Sequence, residues 1–194
     1  AESMVSAAAA ASGSDVEAIG LVFPVYLHKT PKIVARFISR SSFGDAYVFA
    51  VATNNGGPGS CMKGLVSALR ARGSRLDAGF GLIMPGNSVI LADMTNPVEE
   101  RARRLEESEA GLESIVGAVL AREKNDFGRN EAARSWLQSR FYGLVAAAYG
   151  LPRHFNAGGD CTRCGVCARS CPQGNITLAG KGPVWGKNCV NCLG

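Results

Sequence analysis

Apolar positions along this chain change their period several times between residues 18 and 150. Ala18-Ile19-Gly20-Leu21-Val22-Phe23 is a continuous apolar run stopped by Pro24, the pattern of a strand buried on both faces. Thr30-Pro31 then opens a helix, with Thr as N-cap and Pro in the first helical position. Ile33, Val34, Phe37 and Ile38 give that helix one apolar stripe. A second strand is predicted at Tyr47-Val48-Phe49-Ala50-Val51-Ala52-Thr53, followed by the glycine-rich Asn54-Asn55-Gly56-Gly57-Pro58-Gly59 and a helix from about Ser60 to Arg72. A third strand, Phe80-Gly81-Leu82-Ile83-Met84, ends at Pro85-Gly86-Asn87.

Asn96-Pro97 introduces a longer helix whose apolar residues, Val98, Ala102, Leu105, Leu112, Val116 and Val119, share one stripe. A last helix, around Glu131 to Tyr149, stops at Gly150 with Pro152 just beyond. Strand–helix alternation of this kind implies α/β architecture, a parallel sheet with helices on its faces. From Asn156 the texture changes to a turn-rich approach and a cysteine-dense tail with little apolar content. That shift divides the sequence into a domain over residues 1–155 and a smaller one over 156–194.

Composition narrows the class. The chain has 194 residues, 46% of them hydrophobic, which is enough to build a core. Its formal charge of +5 is modest and its basic residues are scattered among acids, so charge gives no reason to propose a nucleic-acid partner. The run Glu99-Glu100-Arg101-Ala102-Arg103-Arg104-Leu105-Glu106-Glu107 mixes both signs and reads as a solvated helix face. No stretch approaches the roughly eighteen apolar residues of a membrane span, and the alanine run near the N-terminus lacks the basic residues that precede a signal-peptide core. The default expectation is a cytoplasmic protein.

Six of the seven cysteines fall within residues 161–194 at metal-ligand spacings. In a reducing compartment such spacing favours metal over disulfides. Cys161-x-x-Cys164-x-x-Cys167-x-x-x-Cys171-Pro172 is the run of bacterial ferredoxins. Two-residue gaps let three thiolates converge on one cube, and the longer step turns the fourth toward a second cluster. Cys189-x-x-Cys192 adds a half-motif near the end of the sequence. On the two-cluster pattern, Cys161, Cys164 and Cys167 hold one 4Fe–4S cluster, and Cys171, Cys189 and Cys192 the other. Zinc is the alternative: Cys161, Cys164, Cys189 and Cys192 would make an all-cysteine tetrahedral site in a structural or interaction module without redox activity. That choice leaves Cys167 and Cys171-Pro172 without a purpose, so the spacing favours iron–sulfur.

Together these features resemble the fusion proteins that join a flavodoxin-like domain to a two-cluster ferredoxin domain. The likeness rests on Val22-Phe23-Pro24-Val25-Tyr26, Thr53-Asn54-Asn55-Gly56-Gly57-Pro58-Gly59, Met84-Pro85-Gly86-Asn87, the cysteine run and Pro183-Val184-Trp185-Gly186. The resemblance implies electron transfer through one or two clusters to or from FMN or a redox partner protein. It places Pro24, Tyr26, Thr53, Asn54, Asn55, Gly56, Gly57 and Gly59 around the flavin ring, with Tyr26 stacked on it and the glycine loop offering backbone N–H groups to its polar edge. The departure lies at the start: residues 1–17 show neither the first strand nor the phosphate loop of a flavodoxin-like domain. The sheet is therefore expected to lack its first strands, and FMN binding to lack its phosphate anchor. With no initiator Met and a final cysteine motif cut short, the sequence reads as clipped at both ends.

Several single residues carry weaker expectations. Cys61, at a helix start, reads as a plain, partly buried cysteine, and His28 and His154 as loop or junction residues. Trp136, Phe141 and Tyr142 read as core or docking residues, and Trp185 as a shield for a cluster.

Overall fold

The computed structural model describes residues 16–26, 28–86, 93, 95–127, 140–141, 144, 155–180 and 182–189. The chain divides into two compact units, Ala1–Tyr142 and Gly143–Gly194. The molecule is of mixed α/β class.

The first unit is built on three strands, β1 (Ala18–Pro24), β2 (Tyr47–Asn54) and β3 (Ala78–Ile83), in the order β1-β2-β3. Both pairings are parallel, with Leu21 opposite Ala50 and Val51 opposite Phe80. Helices α1 (Lys32–Arg40) and α2 (Cys61–Arg70) provide the connections that parallel neighbours need. They cover one face, where Val34, Phe37, Ile38, Met62, Leu65 and Leu69 pack on Leu21, Phe23, Val48, Ala50 and Ala52. Helix α3 (Val98–Leu120) covers the other, with Ile115 and Val119 against Val51, Leu82, Phe49 and Phe80.

Burial differs from the sequence pattern in two elements. The strand buried on both faces is β2, whereas β1 alternates: Leu21 and Phe23 are buried and Val22 is 58% exposed. The packing of α3 explains this, because its contacts lie on β2 and β3. On α3 itself most of the apolar stripe points outward, with Val98, Leu105, Leu112 and Val116 exposed, and only its last member, Val119, packs on the sheet. The inward residues are Arg104, Ser108, Gly111 and Ile115, spaced four, three and four apart on one helical face. The approach is close there, since a Cβ on Gly111 would come within 3.2 Å of Leu82 Cδ1 and that methyl would have to give way.

The start of α1 also departs from expectation. Pro31 is the N-cap residue, without a side-chain cap bond. The Thr30 hydroxyl instead donates to the Cys61 carbonyl at 2.5 Å, tying the entrance of α1 to the first turn of α2. Gly64 leaves room for that hydroxyl, which would stand 2.8 Å from a Cβ there. Cys61 is fully rather than partly buried.

The second unit holds the short helix α4 (Val166–Ser170) and an antiparallel hairpin of β4 (Ile176–Ala179) and β5 (Gly182–Trp185). Ile176 pairs with Trp185 and Ala179 with Gly182. Phe155 meets Trp185 edge to face, ring centroids 6.1 Å apart. Most of the helix expected over residues 131–149, together with Asn87, Trp136, Tyr142, His154 and Cys192, lies outside the described residues. Phe141 is described and exposed. Among the described residues no helix is long and apolar enough to cross a membrane.

Candidate functional sites

The three parallel strands end at the same edge of the sheet, where α/β proteins place their ligands. Their ladder continues past the strand ends. Val25 donates its N–H to the Thr53 carbonyl at 2.8 Å, and Met84 donates to the Asn54 carbonyl at 2.7 Å. The loops after β1, β2 and β3 are thus held side by side.

Asn54 organises the middle loop. Its buried side chain donates to the Ala52 carbonyl at 3.0 Å and accepts the Gly57 N–H at 2.6 Å. The amide is therefore spent inside the loop rather than presented to a ligand. Gly57 and Gly59 have φ values of 122° and 58°, a region L side chains rarely adopt. Gly59 also lies under the His28 ring, whose Nδ1 would be 2.5 Å from a Cβ at that position. The Ser60 hydroxyl donates to the His28 carbonyl at 2.9 Å, fastening the middle loop to the first. That first loop turns back on itself, with Lys29 donating its N–H to the Tyr26 carbonyl at 2.9 Å. Tyr26 and Thr53 are half-buried, and Pro24 and Gly56 are exposed.

Arg104 contributes to this edge and was read in the sequence only as part of a solvated charge run. Its neighbours Glu100, Arg103 and Glu107 do form surface pairs. Arg104 turns inward instead, with Nε on Glu100 Oε1 at 2.6 Å and Nη1 donating to the Asn55 carbonyl at 2.7 Å and to Asn55 Oδ1. Its place on the row with Ser108, Gly111 and Ile115 is the sequence signal that could have found it.

In the second unit, the cysteine loop passes twice through the left-handed region. Arg163 and Gly165 have φ values of 58° and 75°. The Arg169 guanidinium donates to the Cys164 carbonyl at 2.9 Å, bracing the loop from α4. The Val166 N–H and the Thr162 hydroxyl, helped by the Arg169 charge, hold the Cys164 thiol below its ordinary pKa. Asn175 donates its N–H to Cys171 Sγ at 3.2 Å, and its side chain accepts the Asn188 N–H at 2.8 Å and donates to the Gly186 carbonyl at 3.0 Å. It thereby joins the Cys171 turn, the end of the hairpin and the approach to Cys189. A Cβ on Gly182 would stand 3.8 Å from Cys161 Sγ, so β5 begins beside that ligand candidate.

Cys161, Cys167, Cys171 and Cys189 are half-buried and Cys164 is exposed, all as free thiols. Among the described residues no three Cys, His, Asp or Glu side chains come together closely enough to hold a metal ion. The fit to a cluster therefore rests on donor chemistry. An all-thiol set fits iron–sulfur ligation, and backbone N–H groups on the sulfurs of Cys164 and Cys171 suit thiolates that carry charge. Scans of protein-family models, curated proteins and solved structures find no match to this chain.

Proposed function

We propose that this chain is an electron-transfer protein whose C-terminal unit, ferredoxin-like, holds one or two 4Fe–4S clusters and whose N-terminal unit, flavodoxin-like, presents a flavin site at the strand-end edge. The observation that carries this reading is the run Cys161-x-x-Cys164-x-x-Cys167-x-x-x-Cys171-Pro172, with N–H donors directed at the sulfurs of Cys164 and Cys171. A bound 4Fe–4S cluster supplies a one-electron couple, and such N–H groups are among the features that set its potential. Cys161, Cys164 and Cys167 are the ligands proposed for one cluster, and Cys171, Cys189 and Cys192 for the other. Asn175 ties Cys171 to Asn188, the residue before Cys189.

The flavin part rests on the three abreast loops. Tyr26 offers an aromatic face, and the loop from Thr53 to Gly59 offers backbone at a strand end. By the resemblance, these contacts serve the ring of the flavin. The electrons pass to FMN or to a redox partner protein, in a cytoplasmic setting consistent with the cysteine usage.

Iron, acid-labile sulfide and zinc should be measured on the chain purified without oxygen. Iron and sulfide in near-equal amounts, with little zinc, is the expected result. Stoichiometric zinc without sulfide overturns the proposal and makes the tail a structural clip.

A further inference from the structure

The peptide joining Asn55 to Gly56 is held through its carbonyl. Arg104, rooted on α3 and paired with Glu100 at 2.6 Å, donates to the Asn55 carbonyl at 2.7 Å and to the same residue's side-chain oxygen. Its side chain is 19% exposed, so water competes weakly for these bonds. In a planar trans peptide the N–H points opposite to the C=O, and the chain contains no cis bonds among the described residues. Fixing the Asn55 carbonyl toward α3 therefore fixes the Gly56 N–H away from it. Gly56 is exposed, and a Cβ there would meet nothing within 4 Å. The loop is braced at its next peptide as well, where the Gly57 N–H is occupied by Asn54 Oδ1 at 2.6 Å.

We infer that Arg104 is a positioning residue that orients the Asn55–Gly56 peptide so that its N–H serves as a donor to the ligand of the strand-end edge. The ligand class follows: a ring carrying a hydrogen-bond acceptor, a carbonyl oxygen or unprotonated ring nitrogen. The inference rests on the flavin reading above, because a flavin ring has both kinds of acceptor on its polar edge. The requirement for Arg is geometric. A planar guanidinium reaches the Asn55 carbonyl, its side-chain oxygen and Glu100 together, whereas an ammonium acts as a point charge.

The test uses the full chain and three variants, R104Q, R104K and R103Q. Arg103 lies on the same helix and shares Glu100 but is not among the groups bonded to the loop. Two readouts are taken: amide hydrogen exchange at Gly56 and Gly57, and FMN binding followed by quenching of its fluorescence. R104Q is expected to speed exchange at Gly57 and weaken FMN on the order of tenfold, as for loss of one charge-assisted hydrogen bond. R104K should fall between, and R103Q should match the parent in both. If R104Q binds FMN as tightly as the parent, the positioning role is overturned. If the parent binds no FMN, the flavin reading fails, and exchange decides the clamp separately: unchanged exchange in R104Q overturns it, and faster exchange confined to residues 55–57 upholds it.

Discussion

The backbone N–H of Asn175 lies 3.2 Å from Cys171 Sγ, while the Asn175 side chain accepts the N–H of Asn188, the residue before Cys189. One asparagine thus connects two cysteines that are eighteen positions apart in sequence. Its burial, with all four of its polar groups satisfied, makes it a structural requirement of the module.

Asn175→Ala keeps the bond to Cys171 but releases the Gly186 carbonyl and the Asn188 N–H. Gly186 and Asn188 are exposed, so water can take over both groups and the cost is that of the lost ties, about 1 kcal/mol each. The variant is expected to retain the first unit's fold, to speed amide exchange at Asn188, and to hold less iron than the parent after anaerobic gel filtration. Parent-like iron retention would show that the Cys189 side needs no such tie.

Asp77 gives the first unit a defined pH response. Its carboxylate, almost fully buried, accepts the Val48 N–H at 3.0 Å and the Arg75 guanidinium at 2.9 Å, with Lys124 at 3.4 Å. Burial pushes its pKa up, but the Val48 hydrogen bond and the two cations outweigh burial and hold it below the ordinary value. Its folded value being depressed, the stabilisation is fully present above the ordinary carboxylate pKa of about 3.9 and is lost as pH falls through the folded value. Asp77→Ala is expected to cost about 1–3 kcal/mol at neutral pH, chiefly from the stranded Val48 N–H. The gap between parent and variant in urea unfolding should narrow in strong acid, and a gap independent of pH would refute the assignment.

The alkaline limb has its own group. Tyr47 donates its hydroxyl to the Glu123 carbonyl at 2.6 Å. Burial, and then the negative charges of Asp77 and Glu123, raise its pKa. Protonated Tyr47 therefore contributes in full below the ordinary tyrosine pKa of about 10, and that contribution is lost as pH climbs through the higher folded value. Tyr47→Phe should cost about 1 kcal/mol at neutral pH and nothing once the pH passes the folded value, as spectrophotometric titration with parallel denaturation would show.

Much of the fold was legible because strands and helices here obey their periods. The three strands and the helices α1, α2 and α3 fall within a few residues of the positions their patterns predict. The cysteine spacing was legible for the same reason, being a local signal. What escaped was chosen by tertiary context. On α3 the most apolar row faces largely outward, because the sheet already fills the interface with Phe49, Phe80 and Leu82. The helix face that fits against them is the one with Ser108 and Gly111, and hydrophobicity does not report it. Arg104 and Asn175 were missed because their partners, Asn55 and Asn188, are distant in sequence or join through backbone atoms. Thr30 had the right residue type for a cap, but its hydroxyl found the Cys61 carbonyl first.

The orientation of α3 can be tested with two truncations of similar size. Ile115 is buried against Val51 and Leu82, whereas Leu112, one turn earlier, is 47% exposed. Ile115→Ala should cost about 2–5 kcal/mol. Leu112→Ala should stay within about 0.5 kcal/mol, as surface substitutions do. Chemical denaturation of both would separate the faces, and the reverse ranking would mean that α3 is rotated toward the apolar row.

Two glycines of the middle loop make opposite predictions although they stand three residues apart. Gly59 has a φ of 58°, and a side chain there would meet the His28 ring and its Cβ at 2.5 and 2.6 Å. Those are atoms near the root of a side chain whose own backbone carbonyl is bonded to Ser60, so His28 cannot swing aside without breaking that tie. Gly59→Ala thus carries left-handed strain, about 1–2 kcal/mol, and a steric clash in addition. Gly56 has no positive φ, and a Cβ on it would meet nothing within 4 Å. Gly56→Ala should leave stability within about 0.5 kcal/mol of the parent or raise it, because alanine restricts the unfolded chain. If a ligand ring lies against the Gly56 N–H, the added methyl at this open position should still weaken its binding. Gly56→Ala is therefore expected to dissociate the two properties, with thermal stability kept or raised and FMN affinity lowered. A loss of stability equal to that of Gly59→Ala would show instead that the loop is packed on both sides and has no face left for a ligand.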